Sequence, residues 1–141
     1  MKEAIHIDAV LGDLGFVFEH EQLEDDLIHY EITVDAGEQL TVSAFLYSSP
    51  DGVYFRLQAY VDEVSGDDPL KQLAQVLALN GDLPTGAFCL DPEENYIYVT
   101  VNMPAREITP DMLSWVIEFL FVAQEVYYQE FYPVAPEDLQ D

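Results

Sequence analysis

Three stretches between residues 29 and 61 carry apolar side chains at every second position: HYEITV (29–34), LTVSAFLYS (40–48) and VYFRLQAYV (53–61). A period of two sends alternate side chains to opposite faces of a β-strand, so each stretch predicts a strand with one apolar face. The intervening SSPDG, residues 48–52, is rich in residues that favour tight turns. The pattern therefore predicts a three-stranded antiparallel meander.

A helix is predicted on each side of this meander. Residues 2–14 repeat apolar side chains at helical spacing and are followed by Gly15, with the apolar face made of Ile7, Val10, Leu11 and Leu14. The second helix has Asp68 as N-cap, Pro69 as its first residue and Asn80-Gly81 as its stop. Its apolar stripe is predicted to be Leu70, Leu73, Ala74 and Leu77.

The remaining elements complete a single unit. Strands near 85–90 and 95–103 flank the turn DPEEN, and a long helix follows Thr109 and is apolar around most of its circumference. Residues 19–26, EHEQLEDD, have low strand propensity and are interpreted as an acidic connector. The order α-β-β-β-α-β-β-α predicts an α+β fold, an antiparallel sheet with helices mainly on one face. Residues 1–132 form the domain and 133–141 a loose acidic tail.

The charge of the chain limits its partners. Twenty-eight Asp and Glu residues against four Lys and Arg residues give a net charge of -24. Phosphate backbones and anionic lipid surfaces are repelled by such a protein, so we expect neither nucleic acid nor membrane as a partner. Two interpretations stay open, a solvated surface that favours solubility or an acidic surface that attracts basic clients.

The remaining composition points to the cytoplasm. The only cysteine, Cys89, excludes an intramolecular disulfide. The first residues, MKEAIHIDAVLGD, carry acids where a secretory signal needs an apolar segment. The most apolar region, WVIEFLFVAQEVYY, is interrupted by Glu118, Gln124 and Glu125. We therefore expect a soluble cytoplasmic protein.

Catalytic and metal-binding patterns are weak. His6, His20 and His29 lie in or near acidic segments, and the EHE segment at 19–21 with Asp25 and Asp26 could supply imidazole and carboxylate ligands, but the spacing matches no zinc or EF-hand motif. Cys89 has no neighbouring cation or helix start to activate it and is interpreted as a small filler. The chain lacks a nucleophile elbow, a P-loop and a dinucleotide fingerprint. No enzymatic activity and no cofactor are expected.

Strand alternation divides the predicted sheet into two faces. One face receives the aliphatic residues and must pack on the helices. The other receives aromatic residues interleaved with polar ones, among them Gln58 and Asp62. Such a face suits protein contact, because tyrosine offers a large contact area and a hydroxyl that tolerates water. The predicted client-binding residues are Phe45, Tyr47, Tyr54, Arg56, Tyr60, Tyr96 and Tyr98. A homodimer partner could cover the same face instead.

Excess apolar surface on the helices predicts a homodimer. One sheet can cover only one side of the middle and last helices, and both are apolar on more than one side. The predicted dimer interface is Leu70, Leu73, Val76, Leu77, Trp115 and Phe119.

The segments LALNGDLPTGAFCLDPEENYIYVTVNMP (77–104) and ITPDMLSWVIEFLFVAQEVYY (108–128) resemble the type III secretion chaperone-like superfamily, including the YbjN-type proteins. The positions that carry the resemblance, within residues 28–130, are Asn80, Gly86, Phe88, Leu90, Asp91, Pro104 and the apolar run 113–128. The resemblance implies small, acidic, usually dimeric proteins that hold extended segments of a client without ATP.

The preferred hypothesis is a chaperone-like module or assembly factor that holds a peptide segment or amphipathic helix of a larger client protein. One alternative is an acidic regulator that occludes a basic surface of its target. Another is a metal-binding or enzymatic protein built on the segment 19–29. The sequence does not name the client.

Overall fold

The computed structural model describes residues 1–35 and 39–133, which form one antiparallel sheet with three helices on a single face. The sheet has six strands in the order β1-β2-β3-β4-β6-β5. In chain order the elements are α1 (Lys2–Asp13), β1 (Val17–Glu24), β2 (Leu27–Asp35), β3 (Gln39–Ser49), β4 (Gly52–Glu63), α2 (Pro69–Leu79), β5 (Ala87–Asp91), β6 (Tyr96–Pro104) and α3 (Pro110–Phe131). The predicted α+β class and one-sided arrangement of helices are confirmed.

The predicted acidic connector at 19–26 is wrong, because most of it belongs to strand β1. This strand pairs antiparallel with β2 from Val17 opposite Thr33 to Glu24 opposite Leu27. Its side chains are exposed on both faces except for the half-buried Phe18, so no apolar alternation marks it. Backbone pairing along β2 outweighs the low strand propensity of the acidic residues, and the sheet has six strands where five were predicted.

The core lies between the sheet and the helices, as the alternation predicted. The inward residues of β3, β4 and β6 are buried apart from the half-buried Leu40 and Val53. On α1, Ile7, Val10 and Leu11 are buried, and Leu14 packs against the core from its edge. Side chains at every second strand position therefore account for one wall of the core, and α1 and α3 supply most of the other.

Helix α2 begins and ends where predicted. The Asp68 carboxylate caps its start by accepting a hydrogen bond from the backbone N–H of Lys71 at 3.0 Å. The buried residues are Gln72, Val76 and Leu79, whereas Leu70 and Leu77 are 79% and 70% exposed. The predicted apolar stripe therefore lies largely outside the core of this chain.

A β-bulge in β4 reverses the orientation of Asp62, which was predicted to face outward. Tyr60 pairs with Tyr98, but the next paired position on β4 is Asp62, opposite the buried Ile97. The extra residue places both Val61 and Asp62 toward the helices. Asp62 then accepts hydrogen bonds from the hydroxyls of Tyr127 and Tyr132, both at 2.7 Å.

Two residues of the segment 77–104 shape the approach of α2 to the sheet. The side chain of Asn80 donates to the carbonyl of Phe88 at 3.2 Å and accepts from its N–H at 2.6 Å, so it joins the end of α2 to β5. Gly86 has φ +67, and a Cβ there would lie 2.4 Å from the backbone oxygen of Thr100. Both positions thus have structural roles that restrict them to small or amide side chains.

The predicted tail, 133–141, lies outside the described residues apart from Pro133. Within the described part of the chain, no helix is long and apolar enough to cross a membrane.

Candidate functional site

The seven predicted client-binding residues all lie on the face of the sheet opposite the helices, which we call the outer face. They belong to three neighbouring strands, β3, β4 and β6, and their cross-strand partners follow the pairing Phe45–Arg56, Tyr47–Tyr54 and Tyr60–Tyr98. We call this set the aromatic platform: Phe45, Tyr47, Tyr54, Arg56, Tyr60, Tyr96 and Tyr98. All seven are half-buried or exposed.

The rings of the aromatic platform contact one another in two groups. Tyr47 stacks on Tyr54 with ring centroids 5.9 Å apart and an angle of 27° between planes. At the other end, Tyr96 lies 5.6 Å from Tyr60 and 5.9 Å from Tyr98. Mutual contact limits the rotamers of these side chains before any partner arrives, which lowers the entropy lost on binding.

Arg56 stands beside the first group of rings. Its guanidinium carbon is 5.4 Å from the centroid of the Tyr47 ring, within the range of a cation–π contact. Its Nη2 atom lies 3.5 Å from the Tyr47 hydroxyl, to which the side-chain amide of Asn102 donates at 2.7 Å. Asn102 was not predicted as a site residue, although its position in phase with Tyr96 and Tyr98 places it on the same face.

The other half of the outer face is acidic. On the β1–β2 hairpin, Glu19 lies directly opposite Glu31, and Glu21 opposite His29. Like charges in direct cross-strand register oppose pairing, so this arrangement does not stabilise the hairpin. The outer face is therefore divided into an acidic half on β1 and β2 and an aromatic half on β3, β4 and β6.

Burial raises the pKa of Tyr96 and Tyr98 above the ordinary phenol value, and nearby carboxylates and other acidic groups raise it further. Both phenols are consequently neutral hydrogen-bonding groups at physiological pH. Burial also raises the pKa of the Cys89 thiol, with the Tyr98 hydroxyl and Arg56 acting in the opposite direction. A raised thiol pKa disfavours the thiolate, which agrees with a filler role for Cys89.

The alternative metal site at 19–29 is not assembled. His20 pairs with Tyr30 on the helix side of the hairpin, whereas His29 lies on the outer face. His20 is 3.5 Å from Asp8 of α1, and His29 is 2.8 Å from the Ser43 hydroxyl. In residues 1–35 and 39–133, no three His, Cys, Asp or Glu side chains are grouped so that they could hold a metal ion.

The predicted dimer residues lie on the helix side around two apolar grooves. The first, between α2 and β5, has a volume of about 200 Å³ and includes Leu73, Val76 and Leu77 in its lining. The second, about 330 Å³, lies between α3 and residues 82–84 and includes Trp115 and Phe119. Val76 and Phe119 are buried within one chain, whereas Trp115 is 50% exposed and Leu70 is more exposed still.

A polar cluster at the β4 bulge was missed by sequence reasoning. The buried amide of Gln72 donates to the Glu63 carbonyl at 3.1 Å and to the Tyr127 hydroxyl at 3.0 Å, and it accepts from the Ser65 N–H at 3.1 Å. Tyr127 in turn donates to Asp62. We call Asp62, Gln72 and Tyr127 the bulge cluster. It joins α2, α3 and β4, and no sequence pattern marks it, since Gln72 is one of three polar residues on α2.

Comparison with known proteins identifies the fold. No protein-family model matches the sequence, and no curated protein is significantly similar to it. Among solved structures, a chain of the HopA1–SchA chaperone–effector complex superposes with a TM-score of 0.59 at 11% identity, covering 92% of this chain and 98% of that chain.

Two further solved structures have a similar fold. The Yersinia pestis type III secretion chaperone SycH, solved in complex with a stable fragment of YscM2, gives a TM-score of 0.60 at 15% identity over 89% of this chain and 98% of that one. The ExsC–ExsE complex gives 0.59 at 17% identity over 93% and 96%. The chain therefore has a type III secretion chaperone-like fold, as its resemblance predicted. Its likeness to YbjN-type proteins stays a prediction.

Proposed function

We propose that this protein is a non-enzymatic protein-binding module, a chaperone-like protein or assembly factor that holds a segment of a larger client in the cytoplasm. The observation that carries the proposal is the aromatic platform. It is a preorganised group of rings on the face of the sheet that none of the three helices covers. The similar solved structures support a protein partner, since SchA and SycH are described as chaperones in complexes with other proteins.

The composition of the aromatic platform suits a protein partner. Tyrosine and arginine are the side chains most enriched among residues that dominate interface energies, and a well-buried one contributes about 2 kcal/mol or more. The phenol and amide groups remain hydrogen-bonded or solvated when the face is free, so the unbound protein tolerates its exposure. We propose the seven platform residues as the client-binding site.

Two modes of client binding fit this face. An amphipathic helix of the client could lie across the aromatic platform with its apolar side inward. Alternatively, an extended segment could pair with an edge strand, either β1 or β5, and place alternate side chains on the outer face. A helix across the platform would bury rings of all three strands, whereas a segment added to β5 would lie nearest Tyr96 and Tyr98 of β6, and one added to β1 would lie beside the acidic half.

We further propose a homodimer that forms through α2. Two copies with a charge of -24 each repel one another wherever carboxylates meet, so a stable contact needs a surface without them. Helix α2, PLKQLAQVLAL, contains no Asp or Glu, and its exposed side presents Leu70 and Leu77 beside the groove that it forms with β5. Leu73, with Val76 on the groove floor, completes this contact. Trp115 and Phe119 form a second apolar patch that the dimer could cover.

The dimer is tested by light scattering on wild type and on Leu77→Glu, which adds a carboxylate to the exposed side of α2. Wild type is expected at the mass of two chains, and the variant at the mass of one. The matched control is Ile5→Glu, an exposed position on α1 outside both grooves. A wild-type monomer at micromolar concentration would contradict the dimer, and a dimer that persists in Leu77→Glu would show that it does not form through α2.

An acidic regulator that occludes a basic surface is the second candidate. The cross-strand pair Glu19–Glu31 favours this candidate, because like charges in direct register on an exposed face do not stabilise the fold and could instead serve a basic partner. Client capture at high salt distinguishes the acidic regulator from the chaperone-like module. Charge occlusion weakens strongly as ions screen the carboxylates, whereas contact with aromatic rings does not.

The experiment for client binding is affinity capture from native cells, with mass spectrometry, using three proteins in parallel. Wild type is compared with a platform variant, Tyr47→Ser with Tyr54→Ser and Tyr98→Ser, and with a helix-side variant, Trp115→Ser with Val122→Ser. Clients are expected with wild type and the helix-side variant at both low and high salt, but not with the platform variant. Full capture by a folded platform variant would contradict the proposed site.

A further inference from the structure

Arg56 is a cation placed on an aromatic surface. It is one of four Lys and Arg residues against 28 carboxylates, and in the described part of the chain none of the four lies within ion-pairing distance of a carboxylate. Its side chain is exposed in the middle of the outer face. What distinguishes Arg56 from the other three cations is its cation–π contact with Tyr47.

The strand register shows that Arg56 is surrounded by uncharged side chains. Its direct cross-strand neighbours are Phe45 and Asn102. The remaining positions around it on the outer face are Ser43, Tyr47, Tyr54, Gln58, Thr100 and Pro104. Among the strand positions on this face, the closest acidic one, Glu31, is two strands across and two residues along, a Cα separation of about 12 Å at standard strand spacings.

Several hydrogen-bond donors lie close together beside Arg56. The Tyr47 oxygen accepts from Asn102 and, at longer range, from Arg56, so its lone pairs are occupied and its own O–H is available to donate. The guanidinium uses one N–H on Tyr47, and its remaining donors face solvent. Arginine N–H groups and a phenol O–H thus meet at one point of an aromatic surface.

We propose that Arg56 and Tyr47 form a recognition point for the side-chain carboxylate of an Asp or Glu in the client segment. This inference rests on the proposed function of the aromatic platform. The guanidinium fork matches the two oxygens of a carboxylate, and a bound client that covers the exposed Arg56 would strengthen such a hydrogen bond. The acidic residue must be flanked by apolar residues that cover Tyr54 and Phe45.

A carboxylate fits this point better than a phosphate. A single arginine supplies one positive charge, and no second cation lies beside it on the outer face. A phosphate carries about two negative charges, so the net charge of -24 repels it more strongly. The same net charge makes the recognition selective, because an acidic segment is repelled by the surface at large and favoured only where its carboxylate meets Arg56.

The test selects random linear peptides, displayed with amidated C-termini, on the wild-type protein. Peptides whose binding is lost in the platform variant are expected to share one Asp or Glu with apolar residues at i±2 for an extended segment, or at i±3 and i±4 for a helix. For one such peptide, Glu→Gln is expected to weaken wild-type binding by about tenfold. On Arg56→Gln the same peptide change is expected to have little effect, since the partner is already absent.

Three controls define the group that is recognised. Lys2→Gln removes the same charge on α1 and is expected to bind like wild type. Arg56→Lys keeps the charge without the fork and is expected to lose part of the preference for the acid. Replacing the glutamate of the peptide by phosphoserine is expected to weaken binding; tighter binding would assign the point to phosphate and overturn the proposal.

The peptide selection distinguishes failure of the Arg56–Tyr47 recognition point from failure of the client-binding platform. Peptides that need the platform tyrosines but show no acidic preference, or that bind Arg56→Gln as tightly as wild type, would overturn the recognition point and leave the docking face intact. A selection that yields no peptide dependent on the platform tyrosines would contradict both.

Discussion

Two tyrosine clusters on opposite sides of the sheet use similar groups in opposite ways. In the bulge cluster, Tyr127 is fully buried, donates to Asp62 and accepts from Gln72, and each polar group has a partner. Beside Arg56, the Tyr47 hydroxyl is surrounded by donors with no acidic acceptor. In the first cluster every hydrogen-bonding group has a partner within the chain, whereas in the second some N–H and O–H groups have no partner other than solvent.

The difference separates structural from binding roles. A buried polar group without a partner costs about 1–3 kcal/mol, so a cluster inside the core must be satisfied by the fold itself. A cluster at the surface can leave donors to water and exchange them for a ligand. We therefore expect substitutions in the bulge cluster to reduce stability, and matched substitutions around Arg56 to reduce binding.

The largest expected effect comes from removing each tyrosine ring. Tyr127→Ala leaves a cavity among α2, α3 and β4 and is expected to destabilise the protein by about 3–5 kcal/mol. Tyr47→Ala is expected to cost less than about 1 kcal/mol, because the ring lies on the outer surface. Urea unfolding of both variants measures the difference. Equal losses would show that the outer face is part of the folding core.

A smaller effect is expected from the amides. Gln72→Leu leaves the Ser65 N–H and the Glu63 carbonyl without their partner and is expected to cost about 2 kcal/mol. Asn102→Leu, at an exposed position, is expected to change stability by less than about 0.5 kcal/mol. Thermal unfolding of the pair tests this. A stable Gln72→Leu protein would remove the structural role of the bulge cluster.

The smallest effect is a pH dependence. Burial, and then the hydrogen bond to Asp62, raise the pKa of Tyr127 above the ordinary value of 10.0. A raised phenol pKa contributes stability that is complete below pH 10.0 and is lost as pH rises beyond it. Tyr127→Phe, which loses about 1 kcal/mol at neutral pH, should therefore approach wild-type stability above that pH.

Urea unfolding across alkaline pH, with Tyr47→Phe as the control, measures this convergence. A gap between wild type and Tyr127→Phe that stays constant with pH would show that the buried hydroxyl does not control the alkaline limit of stability.

The sequence predicted the faces of β3, β4 and β6 because side-chain alternation is a direct consequence of strand geometry. For the same reason it placed all seven platform residues correctly. It missed β1, since a strand exposed on both faces has no alternation of burial. It also missed the burial of Gln72 on α2, where the side-chain amide makes three hydrogen bonds.

Other features depend on contacts between distant residues. The bulge that turns Asp62 inward is set by pairing between β4 and β6, and its partners Gln72 and Tyr127 come from two helices. The isolation of Arg56 from carboxylates likewise becomes visible only through the register of three strands. Sequence alone predicted Arg56 as a site residue and did not specify its neighbours.

Hydroxyl-radical footprinting of the wild-type protein, with and without a captured client, tests the docking face most directly because it needs no substitution. Client binding is expected to reduce oxidation of Tyr47, Tyr54 and Tyr98, and to leave the exposed Tyr132 and Trp115 unchanged. Protection of Trp115 with undiminished oxidation of the three platform tyrosines would contradict this assignment and place the client on the helix side of the sheet.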